Sequence, residues 1–155
     1  MTTTTKPPLF LEAWVAFLTA HARVVPTVSQ DLEAACGIPL AWFDVLHQLT
    51  LAPEGQLRMH QLADALLLSK SGLTRLVDRI EEAKLASRAA IPGDRRSMHV
   101  RITPAGRELV ETARRVVQRS VAQHFGQYLS EEQQAVIRDA LTQVAHGASE
   151  QAERR

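Results

Sequence analysis

Residues 62–103 read LADALLLSKSGLTRLVDRIEEAKLASRAAIPGDRRSMHVRIT, and the order of local signals in this stretch decides the fold. A short helical pattern runs from Leu57 to Leu66, and Leu67-Leu68 predicts a tight turn. Ser69 stands where a helix N-cap belongs, its hydroxyl placed to accept from a first-turn N–H. Behind it, Leu73, Leu76, Val77 and Ile80 recur at i, i+3, i+4 and i+7, so a second helix runs to about Ala83. Ser71, Arg75, Asp78 and Arg79 fall on the opposite side. Two strands are expected next, about Ala86–Ile91 and Met98–Ile102, turning through Pro92-Gly93 with Asp94, Arg95 and Arg96 at the tip. Short helix, tight turn, longer helix and two-stranded hairpin form the layout of a winged helix-turn-helix. In such modules the second helix enters the major groove of DNA and the hairpin lies along the adjacent backbone or minor groove.

The charge distribution agrees with that layout. The net charge of the 155-residue chain is only +1, but residues 58–101 hold nine Lys/Arg against five Asp/Glu. Residues 1–57 sum to −3, and residues 102–155 balance at seven against seven. A positive middle between neutral or acidic flanks is what a module facing a polyanion requires. Two arginines at a hairpin tip are not needed for turning. Their planar forks suit phosphate oxygens and the narrow minor groove, with Asp94 placed to hold one guanidinium.

Working outward, apolar residues recur at helical spacing from Leu9 to about Ala35 (Phe10, Trp14, Phe17/Leu18, Val24/Val25, Val28, Leu32). Pro26 interrupts them, so either a kinked helix or two collinear pieces is expected. Gly37 stops this helix and Pro39 opens the next, with Trp42, Phe43, Leu46 and Leu49 on one side. On the far flank, Thr103-Pro104 starts a long helix, Ser130-Glu131-Glu132-Gln133 fits a capping box, and Gly147 is the expected final stop.

Several classes of function are excluded or weakened. The seven glycines are never closer than 13 positions apart, which leaves no phosphate-cradling loop, and no nucleophile motif is present. The chain is therefore not expected to be an enzyme. The six histidines show no i, i+4 pair and Cys36 is the single cysteine, so neither a metal site, a cofactor nor an internal disulfide is expected. No apolar stretch is read as approaching the roughly 20 residues of a membrane span, and no signal-peptide layout opens the chain.

The run LADALLLSKSGLTRLVDRIEEAKLASRAAIPGDRRSMHVRITPAGREL resembles the MarR family of bacterial transcriptional regulators, in particular through LSKSGLTRLVDR, the wing DRR and ITPAG together. The resemblance extends from about Pro39, through FDVLHQL, to the helix after TPAG. It implies a mainly α fold with a small β-hairpin wing and dimerisation helices at both ends. Residues 1–8 and 150–155 are then tails, and 9–149 is a single MarR-type domain. Within it, 9–36 and 104–147 are dimerisation helices and 39–103 is the winged lobe. The resemblance further implies a cytoplasmic, nucleoid-associated homodimer on a palindromic operator, acting as a repressor released by a small phenolic or anionic ligand. DNA contacts are expected from Ser69, Lys70, Ser71, Thr74, Arg75, Arg79, Asp94, Arg95 and Arg96. A ligand cleft is expected among Trp14, His21, Asp44, His47 and Arg88.

Two departures stand out. Lys84 occupies the corner where the family usually has glycine. Members that respond to urate resemble this chain at Trp14, Asp44 and Arg88 but carry arginine in place of Leu76. Two alternatives stay open: a winged-helix protein-interaction module without DNA binding, and a thiol-based redox regulator acting through Cys36.

Overall fold

The computed structural model describes residues 6–91 and 94–153; the side chains of 90–91, 94–97 and 149–153 lie outside that description. Helix α1 spans Leu9–Cys36 and α2 Leu40–Leu51. A 3-10 turn at Pro53–Gly55 leads into strand β1 (Gln56–Arg58), followed by α3 (Met59–Leu66) and α4 (Lys70–Glu82). Strands β2 (Ala86–Ile91) and β3 (Asp94–Ile102) precede α5 (Pro104–His124), a 3-10 turn at Gly126–Tyr128 and α6 (Glu131–Glu153).

The core is built where α2, α3, α4 and the sheet meet α5. Leu32, Leu46, Leu49, Leu62, Leu73, Val77, Ile80, Val100 and Val110 are fully buried there. Each helix turns one apolar stripe inward, and burial of a Leu or Ile side chain contributes about 1.5–3 kcal/mol. The sheet has the order β1-β3-β2, antiparallel throughout. Leu57 faces Val100 and Arg58 faces His99 on one side of β3, and Arg88 faces Val100 on the other.

Capping behaves as the sequence predicts. Gly37 closes α1 at φ 69°, a left-handed conformation that costs glycine nothing. The Ser69 hydroxyl accepts from the Gly72 N–H at 3.1 Å. Ser130 and Gln133 form the reciprocal box at 2.9 and 3.2 Å. Thr103 does two things with one hydroxyl. It accepts from the Gly106 N–H at 3.0 Å and donates to the carbonyl of Lys84 (2.9 Å) or Leu85 (3.0 Å), tying α5 to the corner after α4.

Four expectations are corrected. Gln56–Arg58 is a strand, not the start of α3: it pairs with the free edge of β3, and the Gln61 side chain accepts from the Arg58 N–H to begin the helix at Met59. Strand β3 begins at Asp94 rather than Met98, because pairing with β2 continues past Met98 through a register shift to Ile91 and Asp94. Backbone pairing thus takes Asp94, Arg95 and Arg96 into the strand. Of the two outcomes left open at Pro26, α1 takes the single long helix, with the Thr27 hydroxyl donating to the Arg23 carbonyl at 2.9 Å. Helix α6 runs through Gly147 to Glu153, since glycine lowers helix propensity but retains its N–H. Finally, α1 is long and apolar enough to cross a membrane by length and composition. Between Glu12 and Asp31 its one Lys, Arg, Asp or Glu residue is Arg23, a run that Pro26 and the polar Thr and His residues had disguised.

Among the described residues three that are not glycine are left-handed: Glu54 (φ 57°) in the 3-10 turn before β1, and Leu67 (φ 53°) and Lys84 (φ 60°) at the corners after α3 and α4. The Lys84→Gly substitution is expected to raise the unfolding free energy by about 1 kcal/mol, the cost of a side chain in that conformation. The reverse holds at Gly106, where an added Cβ would lie 2.2 Å from the Leu85 carbonyl oxygen. Gly106→Ala should lower stability by about 2 kcal/mol or more; urea unfolding of both variants is the measurement.

Candidate nucleic-acid interface

Helix α4 presents two unlike faces. Leu73, Val77 and Ile80 have no exposed surface, whereas Ser69, Lys70, Ser71, Thr74, Arg75 and Arg79 are all exposed. The apolar stripe fixes the roll of the helix, and the roll aims the polar residues outward. At the N-terminal end the Ser69 and Ser71 hydroxyls lie 3.3 Å apart, and Thr74 donates back to the Lys70 carbonyl at 2.8 Å. Among the described residues neither Arg75 nor Arg79 makes an ion pair, although Asp78 and Glu82 lie at helical spacing from them. They flank a shallow hollow of about 490 Å³ with Gly72, Leu76, Asp78 and Glu82.

Asp78 is engaged elsewhere. The Arg88 Nη1 from β2 reaches Asp78 Oδ1 at 2.7 Å and Glu81 Oε2 at 2.8 Å. The Arg88 backbone N–H donates to Glu81 Oε1 at 2.8 Å, and its Nη2 donates to the Thr74 carbonyl at 3.1 Å. This fork fastens the base of the wing to α4. Next to it, β3 is braced from the other edge, where Arg101 donates twice to the Gln56 side-chain oxygen at 3.0 and 2.8 Å.

A second hollow, of about 280 Å³, opens between α3, α4 and β3. Arg58, His60 and Lys70 stand beside Met59, Leu73, Thr74 and Met98 there. Sequence reasoning did not single out Arg58 or His60. The available signal was Arg58's place in the cationic block, but only the β1–β3 pairing reveals that it lies beside Met98.

The side chains of Asp94, Arg95 and Arg96 lie outside the described residues; their backbone belongs to β3. Of the five residues expected to line a cleft, Asp44 and His47 interact one turn apart on α2, and no described contact joins Trp14, His21 or Arg88 to them. Trp14 is 55% exposed on α1, with Phe17 and then His21 next along the same helix at ring-centroid distances of 5.9 and 6.3 Å. His47 stacks on Phe43 (5.3 Å, 6°) within α2, and Arg88 is committed to α4. Cys36 is half-buried at the end of α1, packed on the core. A link that sequence gave no sign of joins α1 to α5: buried Ser120 donates to Asp31 at 2.6 Å, and His124 lies 3.3 Å from the same oxygen. Its partners are 89 residues apart, beyond any local pattern.

A sequence model of the MarR family matches residues 37–97, from the end of α1 to the wing. The solved structure of AbsC, a MarR family transcriptional regulator from Streptomyces coelicolor, superposes with a TM-score of 0.85 at 26% identity, covering 94% of this chain and 99% of that one. Residues 37–97 are thus similar in sequence to the MarR family, and the whole chain shares the fold of its solved members. Sco3205, a MarR family transcriptional regulator from the same organism solved in complex with DNA, shows the same fold with a TM-score of 0.86 at 24% identity, covering 93% of this chain and 94% of that one. Among curated relatives, the HTH-type transcriptional regulator PecS of Dickeya dadantii (strain 3937) is 39% identical over 61 residues, 39% of this chain. That match spans 35%, about a third, of PecS. The family-model match thus covers the winged lobe, whereas the fold is shared over nearly the whole length of the chain.

Partial burial pushes the Asp44 carboxyl above its ordinary value of 3.8, with His47 pulling the other way. A raised native pKa means the folded state holds that proton more tightly, so stability is fully present below the unfolded value and declines as pH rises through the folded one. Asp44→Asn should abolish that decline. Its melting temperature relative to the parent protein should rise between pH 3.5 and pH 6. The gain is expected to be small, because Asp44 keeps much of its surface in water.

Proposed function

We propose that this chain is a homodimeric, sequence-specific DNA-binding transcriptional regulator of the bacterial cytoplasm, a repressor of a palindromic operator released by a small anionic or aromatic ligand. The observation that carries the reading is the orientation of α4. Its buried stripe holds Ser69, Lys70, Ser71, Thr74, Arg75 and Arg79 on one outward face. Arg75 and Arg79 are free of ion pairs among the described residues, so their guanidinium donors are available to base edges and phosphates. In this reading Arg95 and Arg96 reach the minor groove or its phosphates from the wing, and Asp94 orients one of them. The likeness of the winged lobe to transcriptional regulators favours a regulator over an enzyme.

A homodimer is supported by apolar surface that one protomer leaves uncovered. Leu9, Phe10, Trp14 and Val15 on α1 are 55–78% exposed, and Val136 and Val144 on α6 are 67% and 65% exposed. Apolar surface on this scale marks a contact rather than a solvated face. A two-fold dimer would offer α4 and its symmetry mate to the two half-sites of a palindrome. A ligand is supported by the hollow beside Lys70. Its cations Arg58 and Lys70 suit a carboxylate, and Met59 and Met98 suit an aromatic ring.

Three measurements test the proposal. Light scattering at micromolar concentration should give twice the 17.2 kDa chain mass, and a monomer would contradict it. Arg75→Ala should lose about 1–3 kcal/mol on the operator and discriminate less against random duplex. Arg96→Ala should weaken both duplexes by similar factors and lower the salt slope by about one counterion per subunit. An Arg96→Ala protein with unchanged affinity and slope would remove the wing from the interface. Salicylate-like acids should raise the melting temperature and weaken operator binding, and Lys70→Ala should blunt the thermal shift.

A further inference from the structure

Helix α4 is not cationic by its own composition. It carries Lys70, Arg75 and Arg79 against Asp78, Glu81 and Glu82, three charges of each sign. A neutral helix is a poor surface to set against phosphate. It also contains its own trap: Asp78 lies three positions after Arg75, the spacing at which such side chains pair on a helix. That pair is not formed. Asp78 and Glu81 are instead bonded to Arg88 of β2 at 2.7 and 2.8 Å, and the side chain of Arg88 is only 20% exposed.

We propose that Arg88 is a positioning residue for DNA binding: by occupying Asp78 and Glu81 from the wing side, it keeps Arg75 unpaired and leaves the outward face of α4 with a positive excess. The inference rests on the DNA-binding reading above. Two features of the geometry carry it. Arg88 binds both carboxylates with one nitrogen and also donates to the Thr74 carbonyl from the other, so it is anchored across a full turn of α4 rather than resting beside it. The Glu81 carboxylate further accepts from the Arg88 backbone N–H, which fixes β2 and the guanidinium together. A charge-assisted fork of this kind outcompetes an exposed Arg75–Asp78 contact, a weak surface pair between neighbouring turns. Without Arg88, Asp78 turns to Arg75, and Glu81 stands uncompensated close to the phosphates.

The test is a mutant cycle read by fluorescence anisotropy on operator and random duplexes at low and moderate salt. In the parent background Arg75→Ala should weaken operator binding by about tenfold or more. In the Arg88→Met background it should cost less than half that factor, because Arg75 is already engaged by Asp78. Adding Asp78→Asn to Arg88→Met should restore the full cost of Arg75→Ala and recover most of the affinity. Arg88→Met alone should weaken both duplexes by about fivefold, with the larger loss at low salt. If Arg88→Met fails to fold by circular dichroism, Arg88→Gln carries the same cycle, since it removes the charge and keeps a polar donor on β2. An equal cost of Arg75→Ala in all three backgrounds overturns the inference and leaves the DNA-binding reading intact. A parent protein that binds no duplex at any salt overturns both.

Discussion

The burial of Leu73, Val77 and Ile80 is the constraint on which everything else hangs. Those three positions have no exposed surface, so α4 cannot roll without opening a cavity that costs several kcal/mol. A fixed roll decides which residues face water: two serines, a threonine, a lysine and two arginines, all within the first three turns. The same stripe meets Leu46, Leu49, Leu62, Val100 and Val110 in one continuous core. Helix orientation, wing position and the start of α5 are therefore consequences of a single packing problem.

Polar bonds then remove the freedom that packing leaves. Apolar contact tolerates sliding, but hydrogen bonds of 2.7–3.1 Å do not. Arg88 binds β2 to α4 through Asp78, Glu81 and the Thr74 carbonyl. Thr103 binds the start of α5 to the carbonyls of Lys84 and Leu85, and Gly106 permits the close approach that makes this bond reachable. Both devices act near the corner after α4, where Lys84 at φ 60° donates its N–H to the Glu81 carbonyl and accepts from the Thr103 hydroxyl. The strain there is local, and it is offset by the core and by the Thr103 cap.

Charge is arranged on the same plan. Counted along the chain, residues 58–101 are strongly positive, yet α4 by itself is neutral. What matters is which cations are spent internally. Arg88 is bonded to Asp78 and Glu81 and the exposed Arg101 to Gln56, while Arg75 and Arg79 have no such partner among the described residues. The apolar surface follows a parallel logic: the second half of α1 packs on α5 through Val28 and Leu32, and the first half keeps its aromatic residues exposed.

Much of this was legible in the residues themselves, because the signals were local. Helical periodicity in Leu73–Ile80, the caps Ser69, Thr103 and Ser130, and the stop at Gly37 involve partners within four positions, and all took the expected form. The outward set from Ser69 to Arg79 follows from the same periodicity. Where reading failed, the deciding partner was distant. Strand β1 exists because β3, more than forty residues away in sequence, offers an unpaired edge to Gln56, Leu57 and Arg58. Helix α6 passes Gly147 because glycine is merely a weak helix former, not a stop by itself. Arg88 looked like one candidate among five for a cleft, and no count of charges shows that its fork closes on Asp78 and Glu81. Sequence by itself determined the order of elements and the two faces of α4, since periodicity and capping act over a few residues. Only the tertiary structure decided which charges remain free, because that depends on side chains brought within 3 Å by a fold that no local pattern encodes.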